Sequence, residues 1–250
     1  ERKTKRPPAK RKSMAPPRRT SSPPIHTALD LDLAGQPVFE DLPADIQQQL
    51  LEKAVLRKID TSDDITNYQL VLVINGSVQV SSSSASGVSV PLGPGNVISR
   101  ESYFKPYGTA RISGGRLGTL VAIWDRSAIS SATQACPWFI DALRDEGDRI
   151  QTLISLGRKL KRPAWDEILR LIRLTHLNVR VLGPHSKLFN VGDPVNQLAI
   201  AGIGGLELVE EGHVVSRLEP GAVVHGRCLP TQAGAPALVR APRSGATVLI

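Results

Sequence analysis

The chain repeats itself, and that limits its fold more than any other feature. Leu198, Ile200, Gly204, Leu206 and Leu208 each stand 128 residues after Leu70, Leu72, Gly76, Val78 and Val80. Arg217 to Val224 answers Pro91 to Ile98 at an offset of 126, around a shared Pro-Gly pair, Pro220-Gly221 for Pro94-Gly95. Arg243 to Ile250 answers Arg116 to Ile123 at an offset of 127. A helix opening, Pro163-Ala164-Trp165, repeats Pro43-Ala44-Asp45. Several matching segments in one order imply two copies of a module of about 120 residues, because an ancestral unit that packs once packs again. The boundaries expected are 1–28 for a disordered tail, 29–157 for the first module and 158–250 for the second. The second copy reads as cut off before its terminal helix, and a chain that begins at Glu1 and stops inside Thr247 to Ile250 reads as a piece of a longer protein.

Within the first copy, Ile46, Leu50, Leu51, Ala54 and Val55 recur at helical spacing behind Pro43, which suits a first helical turn. The period then falls to two. Leu70, Leu72, Val78 and Val80 predict strands on either side of an Asn75-Gly76 turn. Ser81 to Ser86 is a low-complexity loop, Val88, Val90 and Leu92 a further strand, and Gly93-Pro94-Gly95 a turn. Leu117 to Trp124 predicts the last strand. Ser127 to about Leu156 reads helical through Ile140, Leu143, Ile150, Leu153 and Ile154, with Pro137 at a boundary. Trp124, Trp138 and Trp165 fall beside or within these helices and are expected in the core. The fold class predicted is mainly β with flanking helices, after a disordered basic tail.

Charge is confined to one end. The net formal charge is +8. Residues 1–19 hold Arg2, Lys3, Lys5, Arg6, Lys10, Arg11, Lys12, Arg18 and Arg19 against Glu1, which accounts for all of it. The body is charge-balanced, so the basic pI does not describe a nucleic-acid-binding domain. A Pro-, Lys-, Arg- and Ser-rich segment of this kind cannot bury enough surface to offset its ordering entropy. Lys5, Arg6, Lys10, Arg11 and Lys12, followed by Arg18 and Arg19, look like a nuclear-import or polyanion-binding patch. With few aromatic residues for stacking (Trp 3, Tyr 3, Phe 4), nucleic acid bound there would be held without sequence preference. Ser21 and Ser22 fit basic- and proline-directed kinase patterns, and phosphate there would partly cancel the tail. A second basic run, Arg158 to Arg162, reads as a solvated helix end. No stretch of about 18 apolar residues is present and the amino terminus is no secretory signal, so a soluble cytoplasmic or nuclear protein is expected. The two cysteines, Cys136 and Cys228, make no disulfide framework.

The segments Val73 to Val80 and Leu92 to Ile98, with their second-copy counterparts, resemble the cyclic nucleotide-binding domain, a β-roll (double-stranded β-helix) flanked by helices. Leu188-Phe189-Asn190-Val191-Gly192-Asp193-Pro194-Val195 is similar to that family's first-strand signature. The family occurs in tandem in protein kinase A regulatory subunits and singly in catabolite-activator-type regulators. The resemblance covers about residues 36–250. It implies a phosphate-binding cassette after the Pro-Gly turn: a short helix N-terminus and an Arg for the cyclic phosphate, and a Glu for the ribose 2′-hydroxyl. In the first copy that implies Glu101 and Arg111; in the second, Arg240. Both copies depart from the family pattern. The first lacks the cassette Gly and carries Arg100 and Lys105 where small or apolar residues belong. The second places Arg227 where the Glu belongs.

Other constellations point to structure. Gly202-Ile203-Gly204-Gly205 is followed by a strand and by Glu207 where a dinucleotide fingerprint needs Gly. His225 and Cys228 supply two ligands where a zinc site needs three or four. The adjacent acids Asp63-Asp64 and Glu210-Glu211 read as solvated turns. No catalytic motif occurs, so no enzyme, metal or cofactor is expected. The function expected is regulatory or scaffolding, with the degenerate rolls serving as surfaces for protein partners or self-association. The alternatives are a cyclic-nucleotide or small-anion sensor acting on an output domain outside this chain, and a DNA- or chromatin-associated factor tethered by its tail.

Overall fold

The computed structural model describes residues 31–82, 88–104, 110–115, 118–160 and 177–250. The basic tail with Lys5, Arg6, Lys10, Arg11, Lys12, Arg18, Arg19, Ser21 and Ser22, most of the serine loop, and the helix expected from Pro163 lie outside the described residues.

Helix α1 (Ala44–Lys53) begins behind Pro43, with Ile46 and Leu50 turned inward. It ends earlier than the apolar spacing predicts. Val55, 62 % exposed, is not on the helix: it opens β1 (Val55–Ile59), where it pairs with Ile123. β-Branched Val55 sits more easily on a pleated strand than on a helix turn. The next strands are β2 (Leu70–Asn75), β3 (Val78–Ser82), β4 (Ser89–Leu92), β5 (Val97–Ser99), β6 (Ala110–Gly114) and β7 (Thr119–Trp124). They form two antiparallel sheets, ordered β1-β7-β2-β5 and β4-β3-β6. The helical region expected from Ser127 divides at Pro137 into α2 (Arg126–Ala135) and α3 (Phe139–Lys159). Asp125 caps α2 by accepting from the Ala128 N–H at 2.9 Å.

The period-two pattern of β2 distributes the core. Leu70 and Leu72 join Phe39, Leu50, Trp124, Ile129, Phe139 and Leu143 on the helical side. Val71 and Val73 face the other way and join Val78, Val80, Val90, Ile98 and Ile112 inside the strands. The inner cluster also contains Ile150, Leu153, Ile154 and Leu156 of α3, and Leu177, Ile200 and Leu249 from further along the chain. Trp124 is fully buried, with its ring Nε1 donating to Leu50 O at 2.7 Å. Trp138 departs from the expectation of core use. It lies at the break between α2 and α3 and is 54 % exposed, because the Pro137 corner turns it outward.

Beyond α3 come β8 (Val179–Leu182), β9 (Lys187–Phe189), β10 (Ile200–Ala201), β11 (Leu206–Glu210), β12 (His213–Leu218), β13 (Leu238–Arg240) and β14 (Ala246–Leu249). Their sheets are ordered β10-β14-β8 and β12-β11-β13-β9. Several pairings have counterparts at the sequence offsets. Leu72 pairs with Val97, and Ile200 bridges Val223. The Gly95 N–H donates to Val73 O at 2.8 Å, and the Gly221 N–H to Ala201 O at 2.7 Å. Gly76 and Gly204 have φ of 80° and 91°. A Cβ on either would meet a backbone carbonyl, Gly118 O at 2.4 Å or Gly245 O at 2.6 Å. Only glycine fits either turn.

α3 also lies against the later strands. At Gly221, whose φ is 82°, a Cβ would fall 2.3 Å from Leu156 N, and Lys159 Nζ donates to Glu219 O at 3.2 Å.

Candidate functional site

The Gly93-Pro94-Gly95 turn delivers the chain into β5 and then into residues 99–104, where the resemblance places a ligand cassette. Here α3 occupies the ground above the segment. Gly147 faces Glu101 so closely that a Cβ would lie 1.9 Å from Glu101 O. One residue on, Asp148 is fully buried and its Oδ1 accepts from the Ser102 hydroxyl. Among the described residues, Asp148 Oδ2 has no partner. Burial pushes the Asp148 carboxyl up to about 6, against the opposing pull of the Ser102 hydroxyl and the Tyr103 N–H. Burial likewise raises its neighbours Glu146 and Asp145.

Glu101 is half-buried and its Oε1 accepts from Gln69 Nε2 at 2.5 Å. Arg111 is elsewhere. Strand alternation turns Ile112 into the core and Arg111 outward, where its Nε donates to Asp64 Oδ2 at 2.8 Å. The two residues therefore have separate partners. Arg100 lies over the Tyr68 ring, 5.1 Å from its centroid, and donates to Tyr68 O at 3.3 Å. The result is a segment fastened to the strands on one side and to a helix on the other. The inward strand side chains Val80, Val90 and Ile112 share a core with Ile150, Leu153 and Ile154.

The corresponding stretch of the second half, 225–232, contains a short 3-10 turn, Leu229–Thr231. His225 takes a left-handed φ of 47° and its Nε2 is 3.1 Å from Ala237 O. Arg227 is exposed. Arg240 follows the same alternation as Arg111: Val239 points inward and Arg240 outward. Its Nε donates to Glu207 Oε2 at 3.0 Å, and Arg217 approaches Glu207 Oε1 at 3.9 Å. Glu207 lies directly opposite both, pairing with Arg217 of β12 and with Arg240 of β13. The three make a cross-strand ladder at the edge of an open cleft of about 620 Å³, to which Arg243 and Ser244 also contribute.

None of Glu207, Arg217, Ser102 and Asp148 is among the ligand-site residues that the sequence nominates. Glu207 and Arg217 become neighbours only through strand register. Asp148 carried one weak signal, a carboxylate amid the inward positions Leu143, Ile150 and Leu153 of an amphipathic helix.

No protein-family model and no curated protein sequence matches the chain. Solved structures similar to it include the regulatory domain of Toxoplasma gondii PKA with cAMP, at 13% identity and a TM-score of 0.33, covering 87% of this chain and 85% of that one. Another is the regulatory subunit of a cAMP-independent protein kinase A from Trypanosoma brucei, at 16% identity and 0.34, covering 85% and 76%. The C-linker/CNBHD of zELK channels matches at 14% identity and 0.37, covering 50% and 65%. Every TM-score lies below 0.5, so these similarities carry no assignment. Among the described residues, no helix is long and apolar enough to cross a membrane.

Proposed function

We propose that residues 29–157 and 158–250 are two copies of a cyclic nucleotide-binding-like β-roll, and that the protein is a non-enzymatic regulator or scaffold whose rolls contact protein partners or a second copy of the chain. The matched pairs Leu72–Val97 and Ile200–Val223, and the matched glycine turns, support the duplication. One observation supports an interaction role over a sensor. The inward face of the first roll is packed with the protein's own helix, through Ile150, Leu153, Ile154 and Leu156. A nucleotide entering there would have to displace those side chains, and each buried aliphatic group is worth about 1.5–3 kcal/mol. Glu101 and Arg111, the pair that the cassette reading requires, also point to different partners. In this reading no cofactor is used, and the basic tail makes a separate, salt-sensitive contact with polyanions or an import receptor.

The test is thermal denaturation with cyclic AMP and cyclic GMP at millimolar concentration. A ligand at 100 times its dissociation constant stabilises by about 2.7 kcal/mol. The expected result is an unchanged melting temperature. A saturable rise with either nucleotide, abolished by Glu101→Ala, would overturn the interaction reading in favour of the sensor.

A further inference from the structure

We propose that the cleft beside the Arg217–Glu207–Arg240 ladder is a receptor for a phosphate monoester. The site lies on the outer surface of the second roll proposed above, and reading the two halves as copies supplies one part of the case.

The ladder is built for more than sheet pairing. Glu207 is only 6 % exposed, and it holds one edge of each guanidinium from opposite sides. A guanidinium carries five N–H donors in a planar fork. Glu207 accepts from the Nε of Arg240 at 3.0 Å, and Arg217 Nη2 stands 3.9 Å from its other oxygen, so most donors of both forks are not taken up by Glu207. Arg243, on the turn between β13 and β14, borders the same cleft and enters no ion pair among the described residues. Ser244 adds a hydroxyl and His185 an imidazole. The acids lining the cleft are Glu207 and Glu219, so the three arginines leave an excess of positive charge. Three guanidiniums bordering one cleft, one of them in no ion pair among the described residues, match a tetrahedral dianion. The cleft, about 620 Å³ and open, also has room for the group that carries the phosphate.

The first half provides the internal contrast. Gln79 stands where Glu207 does. It pairs across the strands with Pro91 and Ser113, the counterparts of Arg217 and Arg240. That sheet closes without a charged ladder, so the pairing itself does not demand one. The cleft beside the first-half glycine turn, about 370 Å³, is bordered by Lys58 and by Asp60 and Asp63, an acidic balance. Among the described residues, the charged ladder is particular to the second half.

The experiment is calorimetric titration of the whole chain at low salt with O-phosphoserine, inorganic phosphate and AMP, repeated on the double variant Arg217→Gln/Arg243→Gln. Arg217 is 74 % exposed at its side chain and Arg243 is exposed. The variant therefore keeps the buried Glu207–Arg240 pair, and an unchanged melting curve verifies that it folds. Saturable binding is expected, weakened at least about tenfold in the variant by the loss of two charge-assisted partners. Tightest binding of O-phosphoserine assigns the site to phosphorylated side chains. Tightest binding of AMP assigns it to free nucleotides, and equal binding of all three assigns it to the phosphate group alone. No saturable binding, or equal affinity in the variant, overturns the proposal. A cyclic-AMP melting shift that survives in the double variant would speak against the interaction reading of the first roll and leave this site untouched.

Discussion

Replacing Asp148 with Asn should stabilise the protein at neutral pH, and the gain should fade as the pH falls. Asp148 is fully buried on α3, bonded to the Ser102 hydroxyl through one oxygen, with the other oxygen unpaired among the described residues. Its carboxyl is raised from 3.8 to about 6, first by burial. A raised acid penalises the folded state wherever it is ionised. Below pH 4 both folded and unfolded forms hold the proton, and no penalty exists. Between about pH 4 and 6 the folded form keeps a proton that the unfolded form has released, so stability falls as pH rises through this window. Above pH 6 the full cost applies: a shift of about two units at about 1.4 kcal/mol each, near 3 kcal/mol. Asn keeps the shape without the charge. Across pH 5 to 7.5, melting curves of Asp148→Asn and the parent should therefore separate most at pH 7.5. About half of the gap should have closed by pH 5. At roughly 2–4 °C per kcal/mol for a chain of this size, the closure is several degrees. Asp145 and Glu146 titrate in both proteins, so their own contributions cancel, and the difference reports Asp148 together with its repulsion from Asp145. A gap that stays constant over this range, or widens as the pH falls, would refute the assignment of a buried, charge-penalised carboxylate.

Two substitutions test the close approaches. Gly147→Ala would ordinarily strengthen a helix by about 1 kcal/mol, yet here its Cβ would lie 1.9 Å from Glu101 O. The expected outcome is a lower melting temperature by the equivalent of about 1–3 kcal/mol or more, while Gly93→Ala, with nothing within 4 Å of its Cβ, stays near the parent. Gly204→Ala combines a left-handed φ of 91° with a contact 2.6 Å from Gly245 O. It should destabilise by more than the roughly 1 kcal/mol of backbone strain alone, read by urea denaturation.

What could be read in advance is what local chemistry decides. Pro43, Asn75-Gly76, Gly93-Pro94-Gly95 and Pro137 mark their turns and boundaries because each acts through its own backbone restrictions. β2 could be read as a strand because its short run of Leu, Val and Ile ends at the Asn75-Gly76 turn; covered on both faces, the run itself does not reveal which residues face which cluster. Val55 was misplaced because an apolar residue at helical spacing and the first residue of a strand look alike until β7 supplies a partner. Trp138 was misplaced because composition does not reveal which way a proline corner turns.

The candidate sites were harder still, since they depend on neighbours distant in sequence. A cassette motif nominates Arg111 and Arg240 by position, but alternation about Ile112 and Val239 decides which face they occupy, and it turns both outward. Once outside, Arg111 meets Asp64, and Arg240 meets Glu207. The second encounter gains a third member because β12 places Arg217 in the same register, across Glu207. The same logic reaches the inner side. With the arginines turned away, the space between the strands is left to apolar groups, and α3 fills it. The outward arginines and the packing of α3 against the inward side chains are thus compatible with one strand phase. Introducing a charged group between these strands would require displacing Ile150, Leu153 and Ile154 as well as changing a side chain.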